Sequence, residues 1–167
     1  MSKIDGWILV DKPVGVTSRD IVNIIAKSIN EKKVGHAGTL DKMASGLLAI
    51  AIGEATKTIF CIQNMIKTYK FRVRWGYSTT TDDSEGKKLL TSEIRASKEQ
   101  IKNVLPKFVG SICQIPPNYS AIKINGIRSY KLARKNKLLF NKPRSVKVEK
   151  LKLINYLNKD FSDFEII

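Results

Sequence analysis

Apolar residues recur along this chain with two periods, two and about 3.6, and the places where one gives way to the other mark the expected elements. Gly6 to Val10 reads as a first strand. Ile21, Ile24, Ile25 and Ala26 fall at helical spacing, and Thr17 or Ser18 supplies the oxygen that caps a helix through about Ile29. Leu47 to Ile52 is an unbroken apolar run, long enough for one buried strand. Gly53-Glu54-Ala55-Thr56 opens a short helix through Ile62. Tyr69, Phe71, Val73 and Trp75 alternate with Lys70, Arg72 and Arg74, the pattern of a half-buried strand. The polar, acidic stretch Thr79 to Lys88 predicts a loop. Ser97-Lys98-Glu99-Gln100 has capping-box spacing and starts a helix to about Lys107. Asn125-Gly126, within Ile122 to Ile127, is a hairpin-type turn. Arg128 to Lys135 suits a short helix, Val146 to Leu153 a strand, and Phe161 to Ile167 a last strand. The mixture is α+β, with an antiparallel-rich sheet and flanking helices. No repeat, linker or low-complexity segment interrupts it, and the length suits one domain, 1–167.

Charge changes this picture of an ordinary small α+β protein. Thirty basic residues against fifteen acidic ones leave a formal net charge of +15. An excess of that size favours a polyanion partner, because each neutralised phosphate releases counterions. Most of the basic residues are lysines, which meet phosphate as point charges and suit a backbone better than base edges. Cys61 and Cys113 lie far apart without CxxC spacing, so no metal site and no disulfide framework is expected, and a reducing cytoplasm fits. No signal segment opens the chain, and the longest apolar run is far short of a bilayer crossing.

Chemistry concentrates in Gly35 to Lys57, GHAGTLDKMASGLLAIAIGEATK, where one acid, Asp41, stands between glycine-bearing turns and the apolar run. An acid on a tight loop against a buried strand is expected to be rigidly held and partly desolvated, a setting for a nucleophile or general base. On the pattern alone the simpler reading is a loop aspartate that caps a short helix. Asp82 and Asp83 are adjacent, and neighbours on an extended segment point to opposite faces, so they are poor partners for paired acid–base work. Gly35 and Gly38 lack GxxxxGK[ST] or GxGxxG spacing, which argues against a nucleotide phosphate cradle.

Five segments then occur in one order. They are Asp11-Lys12-Pro13 with Gly15-Val16-Thr17-Ser18; GHAGTLD with ASGLLAIAIGEATK; Lys67-Thr68-Tyr69; Gly76 with Thr79-Thr80-Thr81-Asp82-Asp83 and Gly86; and Gln114-Ile115-Pro116-Pro117 with Tyr119-Ser120-Ala121-Ile122-Lys123, Gly126, Arg128, Tyr130, Ala133 and Arg134. Together they resemble the TruB family, the tRNA pseudouridine synthases that act on uridine 55 in the T loop. The resemblance implies the pseudouridine synthase core with its mixed sheet, a tRNA T arm as partner, and no cofactor, metal or membrane. Asp41 matches the family's catalytic aspartate, whether that group attacks the sugar, attacks the base or removes a ribose proton. Tyr69 matches its active-site tyrosine, which stacks on a flipped base, although its phase with Phe71 also suits a core tyrosine. His36 matches a residue that contacts substrate by filling space near that base. Lys12, Lys123, Arg128 and Arg134 fall in family motifs as candidate RNA contacts.

Two departures stand beside the matches. Lys42 occupies the place where the family usually has proline after its aspartate. The family's catalytic domain continues with a GTYIR-like strand, which supplies a second tyrosine and an arginine partner for the aspartate. This chain stops at Phe164-Glu165-Ile166-Ile167, so a core lacking its C-terminal part is expected, with that part, supplied in trans, as a candidate partner. Phe161 to Ile167 is then expected to form an unfinished or exposed sheet edge that invites association. An enzyme that isomerises uridine is the leading reading. An RNA-binding protein that keeps the fold without turnover is its rival, and a glycosidase or nucleotide-binding enzyme is a minor one.

Overall fold

A computed structural model describes residues 4–117, 123–124, 127–128 and 141–167, with backbone only for 123–124 and 127–128. Contacts cluster into two compact units, 1–66 and 67–167.

The first unit is built on a three-stranded antiparallel sheet. Strand β1 (Gly6–Lys12) pairs with β3 (Gly46–Ile52), which also pairs with the short β2 (Val34–His36). The apolar run thus becomes the central strand, buried from Leu48 to Ile52. Helix α1 (Ser18–Ser28) is capped by Thr17, not by Ser18. Asp20 closes a capping box with Thr17, and the bonds from Thr17 hold the Asp20 carboxyl below its usual range. Ile21 and Val22 join Leu48 and Ile50 in the core, with Val10, Val16, Ile25, Val34 and Leu40 packed around them. Ile24 is instead 58% exposed. At 100° per residue the stripe through Ile21, Val22 and Ile25 leaves it outside.

The helix expected from Gly53 to Ile62 is mostly a 3₁₀ segment, Gly53–Thr58, followed by the short α2 (Ile59–Gln63). Thr56 and Thr58 hydroxyls donate to the carbonyls of Gly53 and Ala55, three residues back, which favours the tighter winding. Glu54 accepts from Lys33 and from Lys57, and these bonds hold its carboxyl at about 2, Lys33 acting most strongly. A carboxyl depressed in the folded state stabilises above its unfolded value and loses that contribution as pH falls through the folded one. Glu54→Gln is therefore expected to melt slightly below the unmodified chain at pH 6, with the gap closing by about pH 2. Melting curves across that range check this, and a gap independent of pH would refute it.

The second unit carries β4 (Tyr69–Arg74), the hairpin β5 (Tyr77–Thr79) and β6 (Lys88–Leu90), α3 (Lys98–Val104), β7 (Gly110–Gln114), the hairpin β8 (Lys123–Ile124) and β9 (Ile127–Arg128), β10 (Arg144–Val148), β11 (Leu151–Asn158) and β12 (Phe161–Ile166). Ser97 caps α3 in the expected box with Gln100. The α-helix stops at Val104 and a 3₁₀ turn follows, because Pro106 lacks the N–H and clashes one turn back. Val146 to Leu153 divides into β10 and β11, since Glu149 and Lys150 turn their N–H groups to Ile167 O. Strands β5 and β6 extend into the ends of the predicted loop, Thr79 to Lys88.

Strand β12 is not an edge. It lies between β11 and β4, antiparallel to both, so both of its ladders are filled and the expected association through it loses its basis. Its inner residue Phe164 stacks on Phe71 at 5.5 Å and meets Trp75 edge-on at 6.2 Å. Trp75 Nε1 donates to Ser162 Oγ at 3.0 Å, satisfying a fully buried hydroxyl. On the other face Arg72 forms a two-pronged pair with Asp163 and holds that carboxyl below its usual range. Every ladder among the described residues is antiparallel, and the fold class is α+β.

Candidate active-site loop

Asp41 sits on the connection from β2 to β3, residues 37–45, which has no regular structure of its own. Its conformation is set by bonds at nearly every step. Ala37 N–H continues the β2 ladder to Ala49 O at 2.9 Å. His36 closes on Gly38 O through Nδ1. A carbonyl only accepts, so Nδ1 carries the proton and a neutral ring leaves Nε2 as an acceptor. Gly38 has φ +102°, in the region that favours glycine. Ala44 N–H bonds Asp41 O at 3.1 Å, which makes Asp41 the first residue of a β-turn. Lys42 then occupies the second turn position, where proline's fixed φ is favoured.

The segment between β1 and α1 holds this loop from below. Gly15 N–H bonds Lys42 O at 2.8 Å, from a backbone with φ +93°. Ser18 Oγ donates to Leu40 O at 2.9 Å and accepts from Leu40 N at 3.0 Å. Both neighbours of Asp41 in sequence are thereby tied to one turn. Lys12 ties that turn together, its Nζ donating to Pro13 O and Val16 O, each at 2.9 Å.

Lys12 is 0% exposed, which corrects its expected place among surface RNA contacts. Its buried ammonium is satisfied by the carbonyls of Pro13 and Val16. Asp41 is also placed differently from expectation. Its side chain is exposed, not partly desolvated, and among the described residues it has no hydrogen bond or ion pair. The loop backbone is held on both sides of Asp41 while the residue itself stays exposed. His36 shares this unit and is half-buried.

A profile described as "TruB family pseudouridylate synthase (N terminal domain)" matches residues 26–167, from within α1 to the last residue. The chain belongs to the TruB family. A relative named tRNA pseudouridine synthase B from Ehrlichia chaffeensis is 51% identical over 150 residues, covering 90% of this chain and 51% of that protein. A relative of the same name from Bartonella henselae is 48% identical over 163 residues, covering 98% of this chain and 51% of its own. The chain spans about half the length of the curated relatives it matches. Among solved structures, "Crystal Structure of a Cbf5-Nop10-Gar1 Complex" aligns with a TM-score of 0.64 at 25% identity, over 96% of this chain and 38% of that one. "Structure of H/ACA RNP bound to a substrate RNA containing 2'-deoxyuridine" aligns at 0.66 and 23% identity, over 96% and 37%, a likeness of fold.

The remaining TruB motif residues lie in the second unit. Tyr69 opens β4 and is 48% exposed, so burial in a core does not account for it. Its neighbour Phe71 turns to Phe164. Lys123 and Arg128 are paired across the hairpin β8–β9, which places both backbones on one two-stranded ribbon. That pairing also puts Arg128 in a strand, where a helix start was expected. Arg134, and the expected helix beyond Arg128, lie outside the described residues. Among the described residues no cluster of three or more His, Cys, Asp or Glu has the geometry of a metal site. No described helix is long and apolar enough to cross a membrane. Sequence reasoning missed Ser18 as a partner of the Asp41 loop. The signal was the motif Asp11 to Ser18 itself, whose last residue looks like a helix cap until the tertiary contact is seen.

Proposed function

We propose that this chain carries the catalytic aspartate of a tRNA pseudouridine synthase that isomerises uridine 55 of the T loop, and that Asp41 is that residue. The observation that supports it most is an exposed carboxylate on a loop whose flanking peptides are both fixed, within the motif GHAGTLD of a TruB-family chain. The reaction breaks the bond from uracil N1 to ribose C1′, turns the freed base and rejoins it through C5. Redox state does not change, so one carboxylate beside base and ribose, a surface that holds the loose uracil, and exclusion of water meet the chemical need. Tyr69 supplies an exposed ring for base stacking, and His36 fills space beside the flipped base. The +15 charge meets the phosphates of the T arm, with Lys123, Arg128 and Arg134 as candidate contacts. Such a substrate places the protein in the cytoplasm.

The test is pseudouridine mapping on a T-arm hairpin incubated with the chain, alone and with the C-terminal half of a family relative supplied in trans. Pseudouridine at the T-loop uridine in either arm is the expected result. Binding without conversion in both would identify an RNA-binding protein that keeps the fold. Affinity measured alongside should fall with salt at a log–log slope of about −3 to −5, for roughly four to six phosphates engaged. A flat response would point away from RNA and towards a small-molecule substrate.

A further inference from the structure

We propose that Ser18 is a positioning residue for Asp41, acting by clamping the peptide that precedes it. This rests on the reading of Asp41 as the catalytic group. Ser18 is 2% exposed and stands at the first position of α1. That place usually needs nothing from a side chain, because Thr17 already caps the helix. The Ser18 hydroxyl leaves its own helix and engages Leu40 twice, accepting from its N–H and donating to its carbonyl. It thereby replaces the ladder that an adjacent strand would have supplied.

Each end of the clamp is rigid. Ser18 is seated on α1, whose Ile21 and Val22 lie in the core, and the Leu40 side chain packs against the same core cluster. Asp41 follows at once, and the bond from Gly15 N–H to Lys42 O holds its other side. The carboxylate has no partner of its own among the described residues, so its aim depends on this backbone. Losing the clamp frees the peptide before Asp41 without touching RNA. A misplacement of about 1 Å at such a group is enough to slow a reaction about a hundredfold.

Ser18→Ala tests this, with Thr17→Ala as its partner. Thr17→Ala removes the cap of the same helix and lowers stability without removing a bond to Leu40. Single-turnover conversion at saturating T-arm RNA is measured in the form that makes pseudouridine, together with RNA affinity, melting temperature and amide exchange at Leu40. Ser18→Ala is expected to slow conversion about 10- to 100-fold with affinity within twofold, and to speed Leu40 exchange at least tenfold. Thr17→Ala should melt lower yet convert within about twofold of the unmodified chain and keep Leu40 protected. The proposal is overturned if Ser18→Ala converts within twofold, or if Thr17→Ala slows conversion equally, since general loosening of α1 would then explain both. Should no form make pseudouridine, the proposed activity fails on that result and the role of Ser18 in it falls too. Leu40 exchange then still reports whether the clamp itself exists.

Discussion

Asp41→Asn is expected to lower pseudouridine formation by several orders of magnitude while leaving RNA affinity nearly unchanged or slightly raised. Asparagine keeps the shape and much of the hydrogen bonding of aspartate but lacks the charge and the nucleophilic oxygen. Loss of a covalent or essential basic group has effects of that size. The structure adds a reason to expect a clean result. The Asp41 carboxylate is exposed and bonds no described residue, so its removal orphans no partner. Asparagine is also at home in the first position of a β-turn. Stability should stay within about 0.5 kcal/mol, as for exposed positions without special contacts. Single-turnover conversion, a binding titration and a melting curve check the three parts. Near-normal turnover in Asp41→Asn would mean that another group does the chemistry.

Phe164→Ala is expected to cost about 3–5 kcal/mol in the second unit, among the largest stability losses open to a single substitution in it. Phe164 is 3% exposed at the centre of β12, the strand that joins β11 to β4. Its ring packs against both Phe71 and Trp75, and truncation leaves a cavity lined by two rings that cannot both close on it. Phe164→Leu keeps most of the volume and should cost roughly 1–1.5 kcal/mol. Urea unfolding followed by tryptophan fluorescence reports on this site, because Trp75 touches the substituted ring. A loss below about 1 kcal/mol for Phe164→Ala would show that β12 is not the keystone of its sheet.

These two residues divide the molecule along the line between what sequence carries and what only folding decides. Leu47 to Ile52 was legible as a buried strand because a continuous apolar run of strand length between two glycines is too short for a buried helix. The alternation from Tyr69 to Trp75 and the caps at Thr17 and Ser97 were legible for the same reason, each being a short-range pattern with a local physical cause. The family motif marked Asp41 as the acid to watch. Long-range pairing was not legible. Nothing local says that Phe161 to Ile166 finds strands on both sides, or that Glu149 and Lys150, where the apolar–polar alternation shifts phase, turn to Ile167. Lys12 looked like a surface cation because lysine usually is one, and only the carbonyls gathered by the turn at Pro13 and Val16 make its burial favourable. Ser18 looked like one of two equivalent caps, and the fold alone brought Leu40 against it. Sequence by itself determined the central strand, the alternating strand and the helix caps, and it singled out Asp41 as the candidate acid, since propensity, periodicity and capping act within a few residues. Tertiary structure decided how that acid is held and how openly it stands, because its geometry depends on hydrogen bonds between segments more than twenty residues apart.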